Sequence, residues 1–134
     1  MKAIKAKAGM GLSIGSEAIA CDNSGAKIVR VIAIRRRGKS VKGRNPSCGV
    51  SDLIKISVRK GEAKMKGKVF DAVLVRQRKE YRRLTGERIK FADNAVVLLK
   101  DTKGNPKGTL IKGPIAREVA ERWPNVSKLA SLII

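Results

Sequence analysis

The chain has 134 residues, with 31 Lys and Arg against 11 Asp and Glu and no His, so its formal net charge is +20 at pH 7. A hydrophobic content of 43% at this length supports one folded domain with its own core and argues against disorder in the middle of the chain. No apolar run approaches the ~20 residues that span a bilayer, and no apolar signal core follows the basic start. We expect a cytosolic protein whose partner is a polyanion, because phosphates relieve the self-repulsion of such a charge.

The residue types that catalysis and metal binding require are scarce. The chain has no His for acid–base chemistry. Two cysteines far apart in sequence, Cys21 and Cys48, do not make a zinc site, and we expect both to be reduced thiols that are buried or half-buried. A metal-dependent enzyme remains an alternative only if scattered aspartates supply the ligands, and each of them is beside a turn or strand end, where Asp is common. They are Asp22, Asp52, Asp71 and Asp93. We therefore predict a protein that is not an enzyme, with no metal and no cofactor.

Alternating and β-branched residues predict a mainly β fold. Residues 1–16 are rich in Lys, Gly and Ser and form either an arm or a first edge strand. Strands are then predicted, in chain order, at 17–21, 28–34, 52–59, 69–75 and 95–99. A further short segment, 109–111, is a candidate to close the sheet.

The hydrophobic period becomes helical towards the C-terminus. Pro114 suits the first position of a helix, apolar residues recur at helical spacing over 115–123, and Pro124 ends that helix. A second short helix, capped by Asn125 or Ser127, carries the remaining apolar residues. Strands followed by helices predict a small closed barrel with two short C-terminal helices.

Positive charge is concentrated in a loop at 35–44, a loop at 60–68 and a predicted β-ribbon at 76–90, whose tip is the Thr85-Gly86 pair. The ribbon has almost no apolar face, so we expect it to project from the body. Each segment could be a solvated loop or a charged edge that blocks aggregation, but three on one small domain favour nucleic-acid binding. The predicted nucleic-acid contacts are Arg35, Arg36, Arg37, Lys39, Lys42, Arg44, Lys64, Lys66, Lys68, Arg76, Arg78, Lys79, Arg82 and Arg83.

Two other features narrow the partner. Aromatic residues make up only 3% of the chain, too few for the stacking platforms of single-stranded RNA readers, which favours backbone contacts with structured RNA or duplex DNA. The first predicted helix carries charges of both signs. Its mixed surface predicts contact with protein through Arg117, Glu118, Glu121 and Arg122.

Several motifs in a fixed order carry a family resemblance. They are DNSGA at 22–26, CGVSDLIKI at 48–56 and FADNAVVLL at 91–99, followed by GNPKGT at 104–109 and GPIARE at 113–118. Together they resemble the large-subunit ribosomal protein L14 family (uL14) from about Met10 to the C-terminus. The segment 1–10 and the basic run at 35–39 are more similar to the archaeal and eukaryotic branch, and an archaeal source fits the chain length.

The resemblance implies a single domain over 1–134. It comprises an N-terminal extension at 1–10, a five-stranded barrel at 17–111 with a projecting ribbon at 76–90, and a helical C-terminal region at 114–134. It also implies a structural protein of the large ribosomal subunit that contacts large-subunit rRNA and helps to bridge to small-subunit rRNA. Its implied protein neighbours are ribosomal proteins L3 and L24e, and anti-association factors of the initiation factor 6 type.

One other class remains open on composition alone. A free-standing DNA- or RNA-binding module, such as an architectural chromatin protein, would have the same charge balance.

Overall fold

The computed structural model describes residues 3–35 and 43–134. Within these ranges the chain forms short and long strands and two short helices. In chain order they are β1 (Ala6–Lys7), β2 (Leu12–Ser13), β3 (Glu17–Ala20), β4 (Ala26–Ile34), β5 (Ser47–Cys48), β6 (Leu53–Gly61), β7 (Val69–Arg76), β8 (Tyr81–Arg83), β9 (Arg88–Ile89), β10 (Ala95–Leu99), β11 (Pro114–Ile115), α1 (Arg117–Arg122), α2 (Pro124–Ser127) and β12 (Leu132–Ile133).

Five strands form a closed barrel in the order β10-β3-β4-β6-β7, which confirms the predicted mainly β fold. Each predicted barrel strand is present, with ends that shift by at most two residues. The barrel closes by parallel pairing of β10 with β3, where the Ile19 N–H donates to the Asn94 carbonyl at 2.9 Å. The prediction that 109–111 closes the sheet is wrong, because Ile111 makes only an isolated bridge to Asp22.

Two hydrophobic cores share the barrel wall. Alternate residues of all five barrel strands fill the interior, among them Val29, Ile54, Leu74 and Leu98. The outer faces of β6, β7 and β10 carry a second core, which the hairpin and the C-terminal region cover. Every residue of β10 is buried, which explains why this strand is apolar throughout instead of alternating.

The C-terminal region has the two predicted short helices, but their bounds differ from the prediction. Pro114 does not begin a helix: it lies in β11, which pairs in parallel with β12. α1 begins at Arg117 and ends at Arg122, and Pro124 is the first residue of α2. The apolar residues at 132–133 form a strand, not the end of a second helix.

The predicted ribbon is a hairpin of β8 and β9, and its turn contains Gly86 in the left-handed region at φ 93°. The N-terminal segment joins it, since β1 pairs antiparallel with β8. The expectation of a ribbon without an apolar face needs correction. Tyr81 belongs to the outer core, and Ala6 and Ile89 pack against it.

The two cysteines are free and buried, as predicted. Burial raises the pKa of the Cys21 thiol to about 12, and its Sγ contacts the Val96 carbonyl at 3.4 Å. The thiol is therefore protonated and unreactive at neutral pH.

Candidate nucleic-acid interface

Most of the predicted nucleic-acid contacts in the described ranges have exposed side chains. These are Arg35, Arg44, Lys64, Lys66, Lys68, Arg78, Lys79 and Arg82. Four others, Arg36, Arg37, Lys39 and Lys42, lie outside the described residues. Arg76 and Arg83 are buried.

The small sheet β1–β8–β9 has two opposite faces. Register pairs Lys7 with Arg82 and Arg82 with Arg88. Side chains that are directly opposite point to the same face, so these three exposed cations form one line across three strands, here called the basic row. The other face packs on the outer core. Of these three residues only Arg82 is among the predicted contacts, because the line depends on a register that no local pattern encodes.

Among the described residues, the cations of the basic row form no ion pair, since no salt bridge involves Lys7, Arg82 or Arg88. Like charges that face each other across strands are destabilising, and adjacent strands are only about 4.8 Å apart. The isolated protein therefore holds a repulsive line of charge that a polyanion would relieve.

Arg76 is not available to an external phosphate, so its assignment as a phosphate contact needs correction. Its side chain is 8% exposed and makes a two-pronged ion pair with Asp93, with Nε–Oδ1 at 2.8 Å and Nη2–Oδ2 at 3.1 Å. Nη1 also donates to the carbonyls of Lys112 and Pro114. Arg76 therefore joins the end of β7 to the start of the C-terminal region.

Arg83 is likewise internal, and Glu118 is its partner. Arg83 is 6% exposed and Glu118 3%. Arg83 Nε donates to Glu118 Oε1 at 2.7 Å, the Tyr81 hydroxyl donates to Oε2 at 2.7 Å, and Arg83 Nη2 donates to the Ile134 carbonyl oxygen at 2.7 Å. Burial, with the hydrogen bond to Glu118, raises the pKa of Tyr81 and keeps it a neutral donor. This cluster connects the hairpin to α1 and to the chain beyond β12.

The protein-contact prediction also divides by burial. Arg122 is buried, with Nη1 at 3.8 Å from Asp52 Oδ1, and Glu118 belongs to the internal cluster. Neither presents a free charge on the surface. Arg117 and Glu121 are exposed and remain as candidates.

The motifs at 22–26 and 48–52 hold the fold together. Asp22 Oδ2 accepts from the Leu98 N–H at 3.0 Å, and Asn23 Oδ1 accepts from the Thr109 N–H at 2.8 Å. Ser51 is buried with φ 75°, and its carbonyl accepts from the Trp123 indole N–H at 3.0 Å. These contacts fix the end of the barrel and seat α1 on it.

The four aspartates considered for a metal do not converge. No group of three or more Cys, Asp and Glu side chains in the described ranges is arranged to hold a metal ion. No helix in the same ranges has the length and apolar content to cross a membrane.

Comparison with known sequences identifies the family. The profile of ribosomal protein L14p/L23e matches residues 11–134. The chain belongs to this family. It is 52% identical to the large ribosomal subunit protein uL14 of Nanoarchaeum equitans over the full length of both chains. It is 45% identical to that of Methanocorpusculum labreanum, again over both full lengths, and 46% identical to that of Methanococcus vannielii over 89% of each.

Membership makes the chain a structural constituent of the large ribosomal subunit in the cytoplasm, not an enzyme. The relatives are archaeal, which agrees with the resemblance in the N-terminal segment. The motifs that carried the resemblance are largely internal, whereas the unpaired positive charge lies on the hairpin and the loops.

Proposed function

We propose that this protein binds large-subunit rRNA through the basic row, and that the exposed cations of the loops make further contacts with the same folded RNA. The observation that carries the proposal is the alignment of Lys7, Arg82 and Arg88 without acidic partners. A line of three strands spans about 10 Å, a length over which a phosphate backbone can meet all three charges. Each neutralised phosphate releases condensed counterions, which makes the affinity depend on salt.

The proposed contacts form separate groups around the barrel. Beside the basic row they are Arg78 and Lys79 at the base of the hairpin, Arg35 and Arg44 from the described part of the 35–44 segment, and the lysines of the turn that follows β6. The barrel has a filled interior, so it can hold these groups at fixed separations. Separate contacts on one rigid body suit a protein that positions several segments of one RNA.

Neutralising the basic row with the triple change Lys7→Gln, Arg82→Gln and Arg88→Gln is expected to weaken rRNA binding and to flatten its salt dependence. The slope of log affinity against log salt should fall in magnitude by about 2–3, since each phosphate contact contributes about 0.7–0.9. The free energy of unfolding should hold or rise, because the change removes like-charge repulsion. Filter binding to transcribed large-subunit rRNA over a salt series, with urea denaturation of each protein, measures both.

A matched control removes the same charge elsewhere. The triple change Lys103→Gln, Arg117→Gln and Lys128→Gln alters exposed residues of the C-terminal side and should leave the slope nearly unchanged. An equal loss of slope in both variants would mean that net charge alone drives binding, and the basic row would lose its assigned role.

We also propose that the exposed side of α1 contacts proteins, and that the protein helps to bridge to small-subunit rRNA. The family resemblance supports L3, L24e and initiation factor 6-type factors as the neighbours. The mixed signs of Arg117 and Glu121, both exposed, support a protein surface here, because a carboxylate repels RNA phosphates whereas a protein partner can complement both signs.

Reversing these two charges together, with Arg117→Glu and Glu121→Arg, keeps the net charge and is expected to weaken protein contacts without changing rRNA affinity. Sedimentation of reconstituted large subunits with small subunits, and with an initiation factor 6-type protein, reads out joining and factor binding. If joining and factor binding both match those of the unaltered protein, α1 does not contact either partner.

A further inference from the structure

Among the described residues, the second core covers the outer faces of β6, β7 and β10 and does not extend over those of β3 and β4. Cross-strand partners Ile19 and Ile28 point outward there, and Ile19 is 47% exposed. Beside this pair is a cleft of about 410 Å³, at the end of the β3–β10 seam, here called the seam cleft. It is at the small end of ligand sites, so it suits one planar group and not a length of strand.

The lining of the seam cleft consists of apolar residues, here called the floor, and polar residues, here called the rim. Ile19, Ile28 and Ala92 contribute apolar surface, while Glu17, Arg78 and Asn94 contribute polar groups. The parallel pairing of β10 with β3 covers only two residue pairs, and the seam cleft lies at the N-terminal end of this pairing, beside Asn94.

The existing partners of the polar groups at the rim show which of their atoms a ligand could use. Asp93 also lines the cleft, but both its carboxylate oxygens are taken by Arg76. Asn94 Oδ1 accepts from the Arg78 backbone N–H at 2.9 Å, so its Nδ2 is the atom that can donate outward. Glu17 Oε1 is 3.9 Å from Arg30 Nη2, a distance that leaves the Glu17 carboxylate able to accept a hydrogen bond from a ligand. The rim therefore offers a donor, an acceptor and the planar guanidinium of Arg78.

We propose that the seam cleft binds one unstacked base of the rRNA. The inference rests on the proposed rRNA binding and names the ligand of one further site in it. A base has apolar faces and an edge with donors and acceptors, which match the floor and the rim, and arginine guanidinium planes stack on bases. A phosphate fits less well, because Glu17 would repel it. The cleft supplies a place for one base in a chain with almost no aromatic platforms.

RNA suits the site better than a protein side chain because of the charge around it. Arg78 lines the cleft, and the next residue, Lys79, is also exposed. With Arg78 against the base, Lys79 would hold a phosphate beside it, whereas the two cations would not favour a neutral or basic peptide.

A photoreactive amino acid at position 19 tests the proposal directly. The full-length protein is bound to transcribed large-subunit rRNA, and separately assembled into large subunits, before irradiation. We expect a nuclease-sensitive adduct that maps to one nucleotide. The same group at Ile32, which is 39% exposed on the same barrel face, is the control and should give a weaker or more dispersed adduct. The base site is overturned if the crosslink forms to protein, or if no crosslink forms although the rRNA is bound.

A second measurement does not depend on the photoreactive group. Arg78→Ala and Lys79→Ala each remove one exposed cation, but only Arg78 lines the cleft. Base-specific chemical probing should show one base that becomes reactive in Arg78→Ala and stays protected in Lys79→Ala. Binding should fall further for Arg78→Ala than for Lys79→Ala, because Arg78 would lose a stacking contact as well as a charge. If Arg78→Ala and Lys79→Ala give identical probing patterns, the base site is overturned but the proposed rRNA binding is not. If the unaltered protein does not bind rRNA at all, the proposed function itself is overturned.

Discussion

Replacing Glu118 with alanine is expected to lower the free energy of unfolding by about 3–5 kcal/mol. The carboxylate accepts from Arg83 Nε and from the Tyr81 hydroxyl, both at 2.7 Å. Without it, a guanidinium that is only 6% exposed would have no counter-charge, and an uncompensated buried charge is among the costliest defects in a fold. Urea denaturation of the two proteins at neutral pH measures the difference.

Two further variants separate the pair from general effects of helix α1. Glu121→Ala removes an exposed carboxylate from the same helix and should change stability by no more than about 0.5 kcal/mol. Glu118→Gln keeps an oxygen acceptor but loses the charge, and should have an intermediate effect. Hydrogen exchange should show faster opening at 81–89 than in the barrel. Equal stability of Glu118→Ala and Glu121→Ala would show that the internal ion pair contributes nothing.

Replacing Gln77 with leucine is expected to cost about 3 kcal/mol, because each buried polar group left without a partner costs about 1–3 kcal/mol. Gln77 is fully buried, and its Oε1 accepts from the Val50 N–H at 2.9 Å. Its Nε2 donates to the carbonyls of Gly9 at 3.2 Å and Lys79 at 2.9 Å. Leucine has a similar volume, so the measured loss in urea denaturation reports hydrogen bonds and not a cavity.

The neighbouring exposed residue gives a control for this position. Glu80→Ala should leave stability within about 0.5 kcal/mol of the unaltered protein. Because Gln77 joins β7 to the N-terminal segment and to the turn before β6, its loss should also raise hydrogen exchange at residues 6–11. If Gln77→Leu is as stable as Glu80→Ala, water satisfies these groups and the side chain does not hold the segments together.

The barrel strands could be predicted from sequence because their side chains alternate between two environments. Asp52 to Arg59 predicts a strand through Ile54, Ile56 and Val58, which lie in the barrel interior. The hairpin tip was predictable for a local reason too, since a glycine at a left-handed position marks the turn. Both signals are encoded within a few residues.

The roles of the arginines could not be predicted because they depend on distant partners. Arg76 and Arg83 have the same sequence context as the exposed Arg78 and Arg82. Asp93 is 17 residues from Arg76, and Glu118 is 35 residues from Arg83. No local pattern shows which cation of a basic run meets a carboxylate from another element.

The short C-terminal strand was mispredicted for a related reason. β12 forms because β11 offers an edge in parallel register, although the apolar spacing at 129–133 also fits a helix. The basic row was missed because β1 and the hairpin are far apart in sequence and meet only through strand pairing.

The shared wall of the two cores bears on how a large subunit is put together. β7 and β10 are packed on both faces. The barrel and its outer layer should therefore unfold in a single cooperative transition, without a state in which only one of them is folded. We expect the protein to reach the RNA already in its final shape. In that order of events the conformational change on binding occurs in the rRNA, whose segments fold around a protein that is already folded.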